Sequence, residues 1–496
     1  MNKTSANKPC ELSAMEARRL IGAKQLSPVE LIESCIAQIE RIDDVVNAMV
    51  IRSFDRARAE AKAAEAAVMR GDDLGDLHGL PVAIKDVEAT QGIRTTYGTK
   101  YYENNVPDVD DPLVDSIRKA GGIVIGKTNI PEMSIGANTV NRLFGATGNP
   151  FNIDLSVGGS SGGSAAALAT NMAPLASGSD HGGSLRIPAC YCGVVGYRAS
   201  PGTVPNTNRT VTQTFYSTKG PMARNVTDVA LLLSVITRRD RRDPMAFPLD
   251  PGQFSRLENV DLSSLRVAVT EDLGGVMVSQ TVRRSFRERV ARFSPYLRAC
   301  EWVNIDLSRA PGVDWRLRSD LFVAQYHKDI AGFDEGFNPN IRKNYEAALQ
   351  MSMEEIAKAR AVQVELYQHF QSIFDNFDLV ICPGVSVPPF PWKHLYPMEV
   401  DGKPVENYMA WLGLTASITV VGHPIVALPS GKDENGTPFG IQVIGPIYRD
   451  RDLLGAARAL EALFATDPML ARPIADLERL LNTPSSCRTL GKQVHG

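Results

Sequence analysis

Two glycine–serine clusters carry the residue types that chemistry needs. The first reads Gly158-Gly159-Ser160-Ser161-Gly162-Gly163-Ser164. The second reads Gly178-Ser179-Asp180-His181-Gly182-Gly183-Ser184 and runs on into Leu185-Arg186-Ile187-Pro188-Ala189. Glycines at this density admit backbone conformations closed to other residues and let a substrate approach the main chain. Serines set among them sit where backbone N–H groups converge, which is the local requirement for holding a tetrahedral oxyanion. A flexible linker would lack packing residues. Here Ala165-Ala166-Ala167-Leu168-Ala169 and Met172-Ala173-Pro174-Leu175-Ala176 follow at once, so the clusters belong to a packed core.

Two familiar patterns overlap this region and lead elsewhere. Gly158-Gly159-Ser160-Ser161-Gly162 matches the G-x-S-x-G nucleophile elbow. That reading makes Ser160 the nucleophile of an α/β-hydrolase-type esterase with a later acid and a histidine, His423. It leaves the second cluster and Lys85 unexplained. Gly121-Gly122-Ile123-Val124-Ile125-Gly126-Lys127-Thr128 matches the phosphate-binding G-x-x-x-x-G-K-T pattern. Ile-Val-Ile is strand material where a flexible cradle is required, and Pro131 falls in the first turn of the helix that should follow. No nucleotide site is expected there.

The elements that must position these clusters can be read from pattern. Ser13-Ala14-Met15-Glu16 and Ser27-Pro28-Val29-Glu30 read as capping boxes, the second with proline at the first helical position. Leu31, Ile32, Cys35, Ile36, Ile39 and Ile42 recur at helical spacing. An alanine-rich third helix, about 54–69, ends at Gly71. Leu80-Pro81-Val82-Ala83-Ile84-Lys85-Asp86 is an apolar strand ending in a lysine. A helix over 112–119 and a strand over 122–126 follow. A helix starts near Ser161, another covers 225–236, and a charged, proline-punctuated connector follows from Arg238. Strand pattern returns at 265–269, and 282–370 reads as mainly helical. Strands are expected at 377–383, 425–429 and 439–445, and a closing helix at 451–465. Strands and helices alternate throughout, which argues for an α/β fold with a covered sheet.

The composition excludes several classes. A net charge of −3 over 496 residues gives no basic excess for nucleic acid or an anionic membrane. The 44% hydrophobic and 22% charged content is that of an ordinary globular chain. Met1 to Cys10 has no apolar h-region, and no uncharged apolar run reaches the ~18 residues of a membrane span. The seven cysteines are odd in number and scattered, which suits reduced thiols in the cytoplasm. Cys190-Tyr191-Cys192 lacks the two-residue spacer of zinc or redox pairs, and the histidines show no ligand spacing. No metal or cofactor is expected.

Several separated motifs together resemble the amidase signature family. They are Gly79-Leu80-Pro81-Val82-Ala83-Ile84-Lys85-Asp86, Gly126-Lys127-Thr128-Asn129 with Glu132, both glycine–serine clusters through Ala189, Gly193-Val194-Val195-Gly196, and the Phe439–Gly445 segment. The resemblance spans nearly the whole chain and is weakest in the middle. It implies one amidase domain over 1–496, with an N-terminal helical layer about 10–70 and a variable substrate-pocket region about 240–400. It implies a central mixed, twisted β-sheet covered by helices on both faces. It further implies a Ser–cis-Ser–Lys mechanism in which Ser184 is the nucleophile, Ser160 the bridging serine in a cis peptide, and Lys85 the base. Lysine serves as a base near neutrality only if burial lowers its pKa, and Ser160 would relay the proton. Backbone N–H groups of His181, Gly182, Gly183 and Ser184 would form the oxyanion hole, with Asp180 and Arg186 holding the loop. The chain departs from the family at His181, where relatives carry a small or aliphatic residue or threonine; the ring is expected to line the pocket.

The expected activity is hydrolysis of small aryl or acyl amides, of the aryl-acylamidase or urethanase type, extending to carbamates (urethanes) and esters. The expected protein is a monomer or homodimer. The alternative within the family is a glutamine-hydrolysing amidotransferase subunit, which would need partner subunits. A binding subunit without turnover is the non-enzymatic alternative, disfavoured because all three catalytic residue types are present. Trp315, Phe322, Tyr326, Phe333, Phe337, Trp392 and Tyr396 are the aromatic candidates for an apolar cleft.

Overall fold

The computed structural model describes residues 8–331 and 337–493. Eleven strands form one sheet: β1 (Met49–Arg52), β2 (Pro81–Lys85), β3 (Ile123–Thr128), β4 (Leu175–Asp180), β5 (Val195–Arg198), β6 (Thr218–Ala223), β7 (Arg266–Val269), β8 (Ala299–Trp302), β9 (Leu379–Pro383), β10 (Ile425–Lys432) and β11 (Pro438–Ile444). Their spatial order is β1-β3-β2-β4-β6-β5-β10-β11-β9-β7-β8. The sheet is mixed. β3, β2 and β4 run parallel, as do β9, β7 and β8, and antiparallel pairs join the two groups.

Helices flank this sheet. They include α1 (Ala14–Gly22), α2 (Pro28–Val46), α3 (Phe54–Arg70), α4 (Pro112–Lys119), α5 (Gly162–Ala169), α6 (Arg186–Cys192), α7 (Val226–Ile236), α8 (Gln280–Phe293), α9 (Ala310–Ala331), α10 (Pro339–Leu349), α11 (Met353–Ile373), α12 (Gly413–Val421) and α13 (Asp450–Phe464). Every residue of β2, β3, β5, β6, β9 and β11 is buried. Strands covered on both faces are apolar along their whole length, not in alternation.

Three expectations need correction. The 282–370 stretch is not helical throughout: β8 interrupts it as an edge strand, beside β7. The Ser13 cap is half a capping box. Ser13 accepts from the Glu16 N–H, but the Glu16 carboxylate pairs with Arg19 instead of reaching back. At Ser27 both halves form. The strand begun at Ile123 continues through Lys127 and Thr128, so the residues of the phosphate-loop pattern are ladder residues.

Two connections place the site. β2 ends at Lys85, next to β4, which delivers the second glycine–serine cluster from its C-terminal end. The first cluster leads into α5, whose residues are all buried. Both clusters therefore meet at one edge of the parallel segment, where open α/β sheets bind ligands.

Candidate active site

Lys85 is fully buried. Its Nζ lies 2.7 Å from Ser160 Oγ and 2.9 Å from Ser179 Oγ. Its backbone N–H donates to Ser177 Oγ at 2.9 Å. Ser177 and Ser179 share one face of β4 by the two-residue strand period, and both turn to Lys85. Burial pulls the Lys85 ammonium down to about 7, against Glu88 and Asp180, which favour the charged form. A lysine in that range is substantially neutral near pH 7 and can take a proton.

Ser160 follows a cis Gly159–Ser160 peptide. The loop that presents it is tied down: Ser156 Oγ accepts the Gly158 N–H at 2.9 Å, and Thr139 Oγ1 donates to the Gly158 carbonyl at 2.8 Å. A Cβ on Gly159 would come within 2.9 Å of the backbone at Ala137 and Asn138, so only glycine fits this approach.

Ser184 lines the same cavity as Ser160 and Ser179, and its carbonyl accepts from Ser161 N–H at 3.1 Å. The turn before it is organised by Asp180. Oδ1 accepts from Gly183 N–H at 2.8 Å, Oδ2 from Leu185 N–H at 3.1 Å, and Arg186 clamps both oxygens at 2.9 and 3.0 Å. Arg198 adds 3.2 Å to Oδ1. Arg186 also reaches the Thr415 carbonyl and Gln442 Oε1, each at 2.8 Å. Burial alone would raise the Asp180 carboxyl, but Arg186 and Arg198 outweigh it and hold it well below the usual range. Two guanidinium groups around one carboxylate leave a positive surplus behind the turn, the sign that favours a developing oxyanion.

The four N–H groups expected at an oxyanion are not equivalent. That of Gly183 is committed to Asp180, whereas those of Gly182 and Ser184 donate to no other described residue. Gly183 has φ +133°, and a Cβ there would meet Thr415 Oγ1 at 2.6 Å. Thr415 Oγ1 in turn donates to the Gly182 carbonyl at 2.7 Å.

The cavity holds about 430 Å³. The His181 ring lines it, packs at a 30° tilt on Tyr216 with centroids 4.7 Å apart, and places Nδ1 3.1 Å from Ser217 Oγ. Burial, with Arg318 and Arg198 nearby, holds this imidazole well below its ordinary pKa, so it is neutral. Of the aromatic candidates, Phe322 and Tyr326 line the cavity. Trp392 is core instead, fully buried with Nε1 donating to the Ile153 carbonyl. Phe337 is buried, Trp315 and Tyr396 pack against the core, and Phe333 lies outside the described residues.

His423 is not at this site. Its ring bonds the Val421 carbonyl at 2.9 Å and Gln371 Oε1 at 3.0 Å within an aromatic cluster, which removes the histidine that the elbow reading of Ser160 required. Sequence reasoning missed Ser179, whose signal was its alternation with Ser177, and Arg198 and Arg318, which had none. Among the described residues there is no group of side chains able to hold a metal ion and no helix long and apolar enough to cross a membrane.

Known proteins resemble this chain along most of its length. The family model described as Amidase matches residues 30–307 and 326–454. A glutamyl-tRNA(Gln) amidotransferase subunit from Halalkalibacterium halodurans is 31% identical, covering 93% of this chain and 99% of that protein. An acylamidase from Rhodococcus erythropolis is 30% identical over 91% of this chain and 95% of its own. Among solved structures, a bacterial aryl acylamidase of the amidase signature family superposes with a TM-score of 0.85 at 27% identity, covering 95% of this chain and 98% of that one.

Proposed function

We propose, since this chain belongs to the amidase signature family and is an amide-hydrolysing enzyme, that its substrates are small aryl and acyl amides, with carbamates and esters accepted by the same route. The observation that carries the mechanism is the 2.7 Å contact between the buried Lys85 Nζ and Ser160 Oγ. Neutral Lys85 takes the Ser160 proton as Ser160 takes that of Ser184, and Ser184 Oγ attacks the carbonyl carbon. The oxyanion is received by the Gly182 and Ser184 N–H groups, with His181 N–H beside them; one such donor is worth ~3–4 kcal/mol in the transition state. As the C–N bond breaks, the proton returns through Ser160 to the leaving nitrogen. Water then cleaves the acyl–Ser184 ester by the same relay in the second half-reaction.

Asp180 and Arg186 hold the turn and move no proton. The cavity's aromatic wall at Tyr216, Phe322 and Tyr326 supports an aryl group on either side of the scissile bond. We assign the chain one amidase domain with a helical layer over about 10–70 and substrate specificity in about 240–400. Its seven free cysteines suit a cytoplasmic enzyme acting as a monomer or homodimer.

The test is release of 4-nitroaniline from 4-nitroacetanilide by the purified protein beside Ser184→Ala. Turnover by the native protein alone supports both substrate class and nucleophile. Equal turnover by the variant moves the nucleophile to Ser160. The second reading, a glutamine-hydrolysing amidotransferase subunit, is favoured by the Halalkalibacterium relative; preference for free glutamine over anilides would select it.

A further inference from the structure

One face of α9 forms a wall of the cavity: Arg318, Leu321, Phe322, Gln325 and Tyr326 all line it, at the three-and-four spacing of a helix face. Arg318 is the charged member of that face, and its side chain is only 11% exposed. Its nearest carboxylate, Asp314 one turn earlier, stands 4.0 Å from Nη1, at the outer limit of an ion pair. Arg318 Nε has no hydrogen-bond partner among the described residues. The rest of the guanidinium lies against the Met409 sulfur and over the Tyr408 ring, 5.6 Å from its centroid.

The other charged groups of the cavity wall have close ion partners. Arg209 is 2.8 Å from Asp243. Lys219 is 2.8 Å from Glu88 and 2.5 Å from Asp111. Asp180 sits between Arg186 and Arg198. Arg209 Nη2 is also without a hydrogen-bond partner among the described residues, but Asp243 neutralises it at 2.8 Å; among the cavity's cations Arg318 alone joins an unpartnered, buried N–H to a distant counter-ion. His181 Nε2, on the same cavity, is likewise without a partner among the described residues. A serine hydroxyl can donate or accept, so a carboxylate beside the ring selects the tautomer in which Ser217 donates to Nδ1 and Nε2 carries the hydrogen.

We propose that Arg318, with His181 beside it, forms a carboxylate subsite, so that the preferred amides bear a carboxylate on their acyl or their amine portion. The proposal rests on the amide-hydrolysis reading above. A buried guanidinium with unmatched donors is costly, and a carboxylate is the ligand that matches its charge and fork geometry together. The aromatic neighbours Tyr216, Phe322 and Tyr326 exclude water and strengthen the attraction. A neutral acceptor would satisfy the N–H group and leave the charge uncompensated.

The experiment is calorimetric binding to full-length Ser184→Ala of two probes, N-(4-nitrophenyl)succinamate, with its carboxylate on the acyl side, and 4-acetamidobenzoate, with its carboxylate on the amine side. Each is compared with the same molecule as a neutral carboxamide. One of the two carboxylates is expected to bind about tenfold more tightly than its carboxamide. Adding Arg318→Gln should reduce that ratio to about twofold or less, while Arg318→Lys keeps part of it. Should the glutamine variant not fold, Asp314→Asn replaces it: removing the competing carboxylate should raise the ratio, and a lowered ratio counts against the subsite. No carboxylate preference for either probe, or one that survives Arg318→Gln, overturns the proposal. Turnover of 4-nitroacetanilide by the native protein is measured in parallel. Turnover without preference sinks the subsite alone; preference with turnover of neither 4-nitroacetanilide nor N-(4-nitrophenyl)succinamate sinks the aryl-amide reading alone.

Discussion

Lys85 ends β2 and Lys127 is the penultimate residue of the neighbouring β3, with Ile84 opposite Lys127 in the register, and both are fully buried. Burial pulls both ammonium groups down, Lys85 to about 7 and Lys127 to about 8. Desolvation therefore does not tell the base from the bystander; their partners do. Lys127 Nζ donates to the Glu88 carbonyl, Thr90 Oγ1 at 2.8 Å and Thr95 Oγ1 at 3.1 Å. A carbonyl only accepts, so Lys127 must donate, and three acceptors match the three hydrogens of an ammonium. Lys85 meets two serine hydroxyls, each able to reverse its hydrogen bond and hand over a proton. Both of those serines reach the cavity. A buried lysine is poised to act as a base when its partners can donate as well as accept.

The largest test of this contrast is to remove each lysine in turn. Lys85→Met should lower kcat/KM by about 10⁴-fold with the thermal midpoint nearly kept, because the proposed base is lost while the buried volume is retained. Lys127→Met should do the reverse in kind. It takes one of two partners from the Glu88 carbonyl and from the Thr90 and Thr95 hydroxyls, which keep the Thr90 Oγ1–Glu88 and Thr95 Oγ1–Ile93 bonds, and should cost about 1–3 kcal/mol of stability, read as a lowered melting temperature. Equal activity losses at matched stability would erase the distinction.

The pH profile sharpens it next. On the proposed relay neutral Lys85 is the active form, so kcat/KM should rise with pH and level off above a midpoint near 7. Below that midpoint the protonated fraction dominates, and activity should fall about tenfold per pH unit. A flat profile between pH 6 and 8 would argue against Lys85 as the base.

Ser179→Ala is the smaller perturbation of the same contact. Losing an acceptor disfavours the ammonium, so the midpoint should move to lower pH. Activity at the plateau should fall about tenfold as Lys85 loses a positioning contact. Both readouts come from one pH series, and a midpoint moving to higher pH would contradict the direction argued.

How much of this was legible follows from what pattern can encode. Lys85 at the end of an apolar run, and serines within glycine clusters, are local facts, and the chain order of the motifs carried the family resemblance. The covered sheet followed from alternating elements. The edge strand β8 did not: Ala299–Trp302 is short, half-exposed and set among helices, so no period marks it. Arg318 was invisible for a related reason. One arginine in a 22-residue helix with Arg316 nearby reads as solvated surface, and only the packing of α9 on the cavity turns it inward. The sequence offers Gly183 as an oxyanion donor on the same terms as its neighbours; that Asp180 takes its N–H depends on the turn's closure, not on residue type. The aromatic candidates divided for the same reason, with Phe322 and Tyr326 on the cavity face of α9 and Trp392 sealed in the core.

The smallest expected effect on catalysis is at His423, and it separates the two serine chemistries. Burial pulls its ring down to about 4, so it is neutral, with Nδ1 donating to the Val421 carbonyl and Nε2 facing the Gln371 side-chain amide. Phe370 and Phe374 pack on it at 4.8 and 5.4 Å. His423→Ala leaves a cavity in that cluster and should cost about 2–3 kcal/mol of stability. Turnover per folded molecule should stay within about threefold of the native value, because no proton passes through this ring. A triad histidine behaves oppositely: its loss costs several orders of magnitude in rate at little cost to stability. Measuring the melt and the rate on one preparation therefore decides between a lysine-driven relay and an elbow serine, whichever way the rate falls.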